Sequence, residues 1–142
     1  MSELTSQGYE FFEHTADVGL RAVGATPAEL LANAAKGIVA LLVEEGPLEA
    51  RQARSVSLQA DSFERLLVAW LKEVLFWFHA DRFLPVAYDL RLDGLRVEGT
   101  VRGDRFDPSR HAPGTEIKGV TWHQLSVTQT PHGWQAQVIV DV

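Results

Sequence analysis

Two helix-opening signatures, set in a chain whose other apolar residues alternate at period two, restrict the available folds more than any other feature of this sequence. Thr26-Pro27-Ala28-Glu29 places a hydroxyl at the cap position, a proline at the first helical position and a glutamate three residues past the cap. A helix is therefore expected to start at Pro27, with Leu30, Leu31, Ala34, Ala35, Ile38, Leu41 and Leu42 on its buried stripe, and to stop by Gly46-Pro47. Asp61-Ser62-Phe63-Glu64 repeats the arrangement and opens a second helix running to about His79. Its wide apolar face, from Phe63 through Trp70 to Trp77 and Phe78, reads as core or subunit contact rather than as a cofactor box.

Around these helices the pattern is that of strands. Residues 9–12 and the alternating Val18, Leu20 and Ala22 should form two short strands on either side of His14-Thr15-Ala16-Asp17. Another strand is expected over 55–58. Asp93-Gly94 favours the positive φ angles of a tight hairpin turn between two alternating runs, Val86 to Leu92 and Leu95 to Val101. Residues 103–115, with Pro108, Pro113 and Gly114, form the longest stretch without periodicity; it holds Asp104, Arg105, Asp107, Arg110 and His111, whose roles the sequence leaves open. Residues 116–130 and 134–142 read as a closing pair of strands joined at Pro131-His132-Gly133. The order β-β-α-β-α-β-β-β-β predicts an α+β, two-layer single domain over 1–142: a mainly antiparallel or mixed sheet with two principal helices packed on it.

Composition narrows the function. At 142 residues and 46% apolar content the chain can bury one real core, so disorder is not expected. A net charge of −6 argues against a protein that wraps a phosphate backbone by itself. With no cysteine, thiol nucleophiles, disulfides, Cys-ligated zinc and iron–sulfur clusters are excluded on chemical grounds. The N-terminal residues lack the basic start and apolar stretch of a secretory signal, and no apolar run reaches membrane-spanning length, so a cytoplasmic protein without membrane contact is expected. Paired histidines at helical spacing, a glycine-rich phosphate loop and a nucleophile elbow are all missing.

One chemical possibility remains at the end of the sequence. Trp134, Ala136, Val138, Val140 and Val142 alternate as a core strand, which would hold still two adjacent carboxylates: the Asp141 side chain and the α-carboxylate of Val142. Fixed acids so close repel unless a cation joins them, and a hard cation prefers oxygen ligands of this kind. Further oxygen is expected from residues 13–19, above all Asp17. Taken singly, each residue has a plainer reading: Asp17 a turn cap, Lys118 a solvated charge, His14 and His123 hydrogen-bonding fixtures, His79 and His132 surface groups.

Three separated segments, Tyr9 to Gly19 (YEFFEHTADVG), Thr115 to His123 (TEIKGVTWH) and Val138 to Val142 (VIVDV), together resemble the archease family over essentially the whole chain. Trp122, where the family more often has Tyr, and Gly119, in place of a small Ala, are mild departures that touch no proposed ligand. The resemblance implies a non-catalytic activator of the RtcB-type, GTP-dependent RNA ligase, acting in tRNA splicing and RNA repair. Such a protein promotes ligase guanylylation and multiple turnover, and meets RNA and GTP only through the ligase. It also implies a divalent-metal site on Asp17, Asp141 and Val142, with calcium as the bound ion and manganese or magnesium as working alternatives. Lys118 falls on the family's functionally important lysine, facing the partner or a nucleotide phosphate. Glu13, His14, Glu116 and His123 are candidates for supporting positions around the metal.

Other readings stay open: a chaperone-like modulator of tRNA-modifying enzymes such as a tRNA methyltransferase, or a stand-alone metal-dependent phosphoesterase in which clustered acids activate water. A homo-oligomer built on the aromatic helix is also compatible with the sequence.

Overall fold

The computed structural model describes residues 7–14 and 17–142, the side chain of His14 excepted; Thr15 and Ala16 of the first family segment lie outside the described residues. The elements, in order, are β1 (Tyr9–His14), β2 (Asp17–Gly24), α1 (Pro27–Leu42), β3 (Val43–Glu45), β4 (Gln52–Gln59) and α2 (Phe63–Asp81). They are followed by β5 (Phe83–Asp93), β6 (Arg96–Arg105), β7 (Ala112–Pro113), β8 (Gly119–Val120), β9 (Ser126–Thr130) and β10 (Gly133–Asp141).

Thr26 caps α1 as its sequence requires. Its Oγ1 accepts from the Glu29 N–H at 3.2 Å, while the Glu29 carboxylate accepts from the Ala25 N–H at 3.2 Å, one residue earlier than a reciprocal capping box would have it. On α2 the cap is Ser62 and not Asp61: Ser62 Oγ accepts from the Arg65 N–H at 3.1 Å. Asp61 instead forms an exposed (i, i+4) ion pair with Arg65. α1 ends at Leu42, before the expected Gly46-Pro47 stop, because Val43 turns extended and pairs with Pro113. α2 runs two residues past His79 and closes on Arg82, a non-glycine residue at φ 63°.

The α+β class expected from the sequence is the one observed, with every strand pairing among the described residues antiparallel. The strands divide between a five-stranded sheet, ordered β1-β2-β10-β8 with β9 also on β10, a three-stranded sheet, β4-β6-β5, and the small pair β3-β7. α1 packs on β2 and β10 of the large sheet and on β5 of the three-stranded one, so the helices share one core with both sheets. Trp70, fully buried, locks the helices together by donating its indole N–H to the Leu31 carbonyl at 2.8 Å. Burying aromatic bodies of this size, each worth a few kcal/mol, accounts for the wide face read on α2. Among the described residues no helix is long and apolar enough to cross a membrane.

Two further expectations change. Residues 116–130 are not one strand: β8 and β9 are separated by a turn at Thr121–Leu125, in which Gln124 adopts φ 53° and the Leu125 N–H returns to the Trp122 carbonyl. Both short strands can still lie on the same edge of β10, β9 against its first half and β8 against its end. The aperiodic stretch is also shorter than 103–115, since β6 continues to Arg105 and β7 takes Ala112–Pro113.

Candidate functional site

β10 lies inside the large sheet, paired to β2 along its whole length. Ala136, Val138 and Val140 point into the core at 3% exposure or less, and Val142 packs against the same core. The residues between them face the other side of the sheet, so the alternation read from the sequence sets the direction of Asp141.

The register then assembles a row. Asp141 is the direct partner of Asp17 on one side and of Gly119 on the other, while Asp17 is in turn the partner of His14 on β1. Direct partners in an antiparallel sheet share a face, with Cβ atoms about 4.5–5.5 Å apart. Two carboxylates thus stand side by side across adjacent strands, an arrangement that destabilises a sheet unless positive charge joins them. On the far side of Asp141, Gly119 has no heavy atom near the place a Cβ would occupy, which leaves open space next to the carboxylate. The preceding row on this face is Phe12, Gly19 and Ile139; the Phe12 ring lies over Gly19, a seat only glycine leaves free. Arg21 stacks on that ring, its Cζ 4.1 Å from the centroid, and pairs with Glu10.

The other sequence candidates fall at different distances from this row. Lys118 is exposed and donates its main-chain N–H to the Asp141 carbonyl at 2.7 Å, which puts its backbone at the end of β10. His123 is exposed in the turn after β8, its N–H bound to Thr121 Oγ1 at 3.2 Å. Glu13 is paired with Val18, one register step away and on the opposite face. Glu116 is exposed and lines a separate cleft. The His14 side chain lies outside the described residues. Among the described residues no three His, Cys, Asp or Glu side chains that could hold a metal ion converge on one point; the row itself brings together two aspartates.

The residues left open in the loop after β6 form a tight electrostatic clamp. Asp104, its side chain 3% exposed, accepts both Nη groups of Arg110 at 3.0 and 3.1 Å and the N–H groups of Glu49 and Arg105. The Arg110 fork, with those amides, holds the Asp104 carboxyl well below the usual aspartate range, against the opposing effect of burial. Asp107 is lowered to about 2, first by the Ser109 hydroxyl and amide and then by Arg110. His111, buried, accepts the Asp107 N–H on Nδ1 at 3.0 Å, so its Nε2 carries the proton and donates to the Pro47 carbonyl at 2.7 Å. These groups fix the loop as a wall. Sequence spacing could not pair Asp104 with Arg110, because Asp104 lies at the end of β6 and Arg110 in the loop beyond it, so no single element gives them a common face.

A protein of two helices against antiparallel sheets, with paired acids at the end of its central strand, is the class that these features define. The Archease protein family model matches residues 9–142. The chain belongs to that family. It is 36% identical to the protein archease of Methanosarcina acetivorans, over 98% of this chain and all of that one. It is 30% identical to the protein archease of Sulfurisphaera tokodaii, over 96% and 99%. Among solved structures, the solution structure of Methanobacterium thermoautotrophicum protein 1598 is similar with a TM-score of 0.83 at 29% identity, covering 96% of this chain and 99% of that one. The crystal structure of a Thermotoga maritima archease described as a possible chaperone has the same fold, with a TM-score of 0.63 at 21% identity over 92% and 94%.

Proposed function

We propose that this chain is a non-catalytic activator of an RtcB-type, GTP-dependent RNA ligase in tRNA splicing and RNA repair, working through a divalent cation held by Asp17, Asp141 and the main-chain carboxyl oxygens of Val142. The observation that carries the reading is the direct register of Asp17 on Asp141 at the end of a core-held strand. Two facing carboxylates are costly for stability alone and useful for holding a hard cation. When bound, such an ion neutralises charge on phosphoryl oxygens, the contribution that metals make to nucleotidyl transfer. In this reading the acids and the open space over Gly119 receive the cation, and the Lys118 ammonium balances excess negative charge or meets a phosphate of the ligase's nucleotide; the main-chain bond of Lys118 to Asp141 supports that role. In this reading RNA and GTP are met through the ligase, as an acidic surface favours.

Multiple-turnover RNA ligation by the cognate ligase, with GTP and a divalent metal, tests this. The wild-type chain is expected to stimulate turnover, and Asp141→Ala to lose the stimulation while keeping its melting temperature. A Gly-Ser extension after Val142, which converts the α-carboxylate to an amide, is expected to do the same. Full stimulation by both variants overturns the proposal.

A second reading rests on a different observation. Phe76 and Trp122 are 63% and 55% exposed, and Lys72, one turn before Phe76 on α2, sits 5.9 Å from the Trp122 ring. Exposed aromatics of this kind suit transient contact with another protein, so a chaperone-like modulator of a tRNA-modifying enzyme would use this face. Its effect on a partner would be indifferent to Asp141→Ala and sensitive to Phe76→Ser.

A further inference from the structure

A cleft of about 720 Å³ opens between the end of α2 and the segment 105–117. One side is apolar and aromatic, with Phe78, Phe106 and Ile117; the rim carries Arg82, Arg105 and His79 against a single acid, Glu116. Volumes of this order are typical of small-molecule sites, which combine an apolar lining with a few convergent polar groups.

Ion pairing is uneven over the molecule: Arg91 and Arg102, on β5 and β6, have no acid partner within 4.0 Å among the described residues, and the rim of the cleft carries two more such arginines. Arg21, Arg51, Arg54, Arg65, Arg96 and Arg110 each have an acid partner within 4.0 Å. Neither Arg82 nor Arg105 has an ion pair among the described residues, although the chain carries a net charge of −6 and acids are plentiful. Their main chains are adjacent: the Phe106 N–H bonds the Arg82 carbonyl at 2.9 Å, and Arg105 is the register partner of Phe83. Both guanidinium groups therefore start from one point on the cleft margin. Arg82 also occupies the left-handed C-cap position of α2, at φ 63°, where glycine is the ordinary residue and a side chain costs about 1 kcal/mol. Stacking over Phe78 at 5.0 Å returns part of that cost but leaves the guanidinium edge available. Phe106, half-buried, also lines the cleft, its ring edge-on to that of Phe78 at 6.4 Å.

We propose that this cleft binds a mononucleotide: a planar base against Phe106 and the apolar wall, and a phosphate on the paired forks of Arg82 and Arg105. Guanidinium groups match phosphate oxygens bidentately, and flat rings stack on aromatic and guanidinium faces alike. The far wall of the cleft connects directly to the acid row. Gly114 and Thr115 are tied to the end of α1 through the Leu42 and Leu41 carbonyls at 2.9 and 2.6 Å, Ile117 is fully buried, and Lys118 is bound to Asp141. An occupant is thus felt within four residues of the candidate cation site. The inference stands on its own geometry and does not depend on the ligase reading.

The test is a nuclear magnetic resonance titration of the full chain with AMP and with GMP, and separately with adenosine and inorganic phosphate. Saturable shifts centred on Arg82, Phe106 and Ile117 are expected for a mononucleotide, with adenosine and phosphate each at least about tenfold weaker. Arg105→Ala should weaken binding about tenfold. Arg82→Gly should weaken it similarly while leaving the melting temperature unchanged or higher, since glycine suits the left-handed cap; this separates lost binding from lost folding. Arg96→Ala, paired with Glu98 on the opposite hairpin end, should bind as wild type. Absence of saturation by either nucleotide to about 10 mM, shifts centred elsewhere, or phosphate binding as tightly as AMP would each overturn the proposal.

Discussion

Replacing Arg110 by alanine exposes how the wall of the cleft is held. The substitution removes two charge-assisted hydrogen bonds, at 3.0 and 3.1 Å, from a carboxylate whose side chain is 3% exposed. Breaking a fully buried ion pair costs about 3–5 kcal/mol. Here the guanidinium is 28% exposed, so solvent already screens part of its charge, and the amides of Glu49 and Arg105 stay on Asp104. The loss should then be about 2–3 kcal/mol at neutral pH. At about 3 °C per kcal/mol for a chain of this size, the melting temperature should fall by about 6–9 °C. The pH dependence gives the argument its sign. The folded Asp104 carboxyl lies below its unfolded value, so its contribution is fully present above the ordinary aspartate pKa of about 3.9 and is lost as pH falls towards the folded value. In Arg110→Ala the same buried carboxyl titrates higher and protonates readily, so the gap between variant and wild type should narrow from pH 7 to pH 3. Calorimetric melting across that range is the assay. A variant within about 1 °C of wild type at pH 7, or a gap that stays constant with pH, refutes the reasoning.

Other perturbations test separate parts of the structure. Among the described residues the Tyr88 hydroxyl, buried, has no hydrogen-bond partner, and burial raises its pKa, while the ring packs edge-on against Trp70. Tyr88→Phe keeps that packing and should stabilise by about 1 kcal/mol in denaturant melts. Ser62→Ala should cost about 1 kcal/mol through loss of the α2 cap, and Asp61→Ala less than about 0.5; the reverse order would shift the helix start by one residue. Gly119→Leu has room in the fold and should melt within about 0.5 kcal/mol of wild type. Under the proposed function it should also abolish ligase stimulation by covering the space next to Asp141.

The sequence carried the elements that local chemistry dictates. Thr26-Pro27 marked the start of α1, Asp93-Gly94 the β5–β6 turn at Gly94 with φ 59°, and the Trp134–Val140 alternation the buried face of β10. It did not carry what only tertiary contact decides. Val43 leaves the helix because Pro113 is there to pair with it, and the run after Glu116 breaks in two because β10 offers one edge to both β8 and β9. For the candidate site, Asp17, Asp141 and Lys118 were legible as residues, whereas their shared end of the sheet needed the register of β2 on β10. The cleft was invisible to pattern reading. Arg82 follows a helix and Arg105 ends a strand, and no periodicity links them.

The position of β10 has a consequence for how the protein comes into being. Arg21 of β2 bonds Gln137 of β10 across 116 residues of chain. The large sheet therefore cannot close around β2 until β10 has been synthesised, and such long-range pairing is slow. A nascent chain that has made both helices still lacks the strand that covers them. Asp17 waits opposite an absent partner until that strand arrives. Only the docking of β10 on β2 brings the two acids together, so a chain interrupted before β10 lacks the pair.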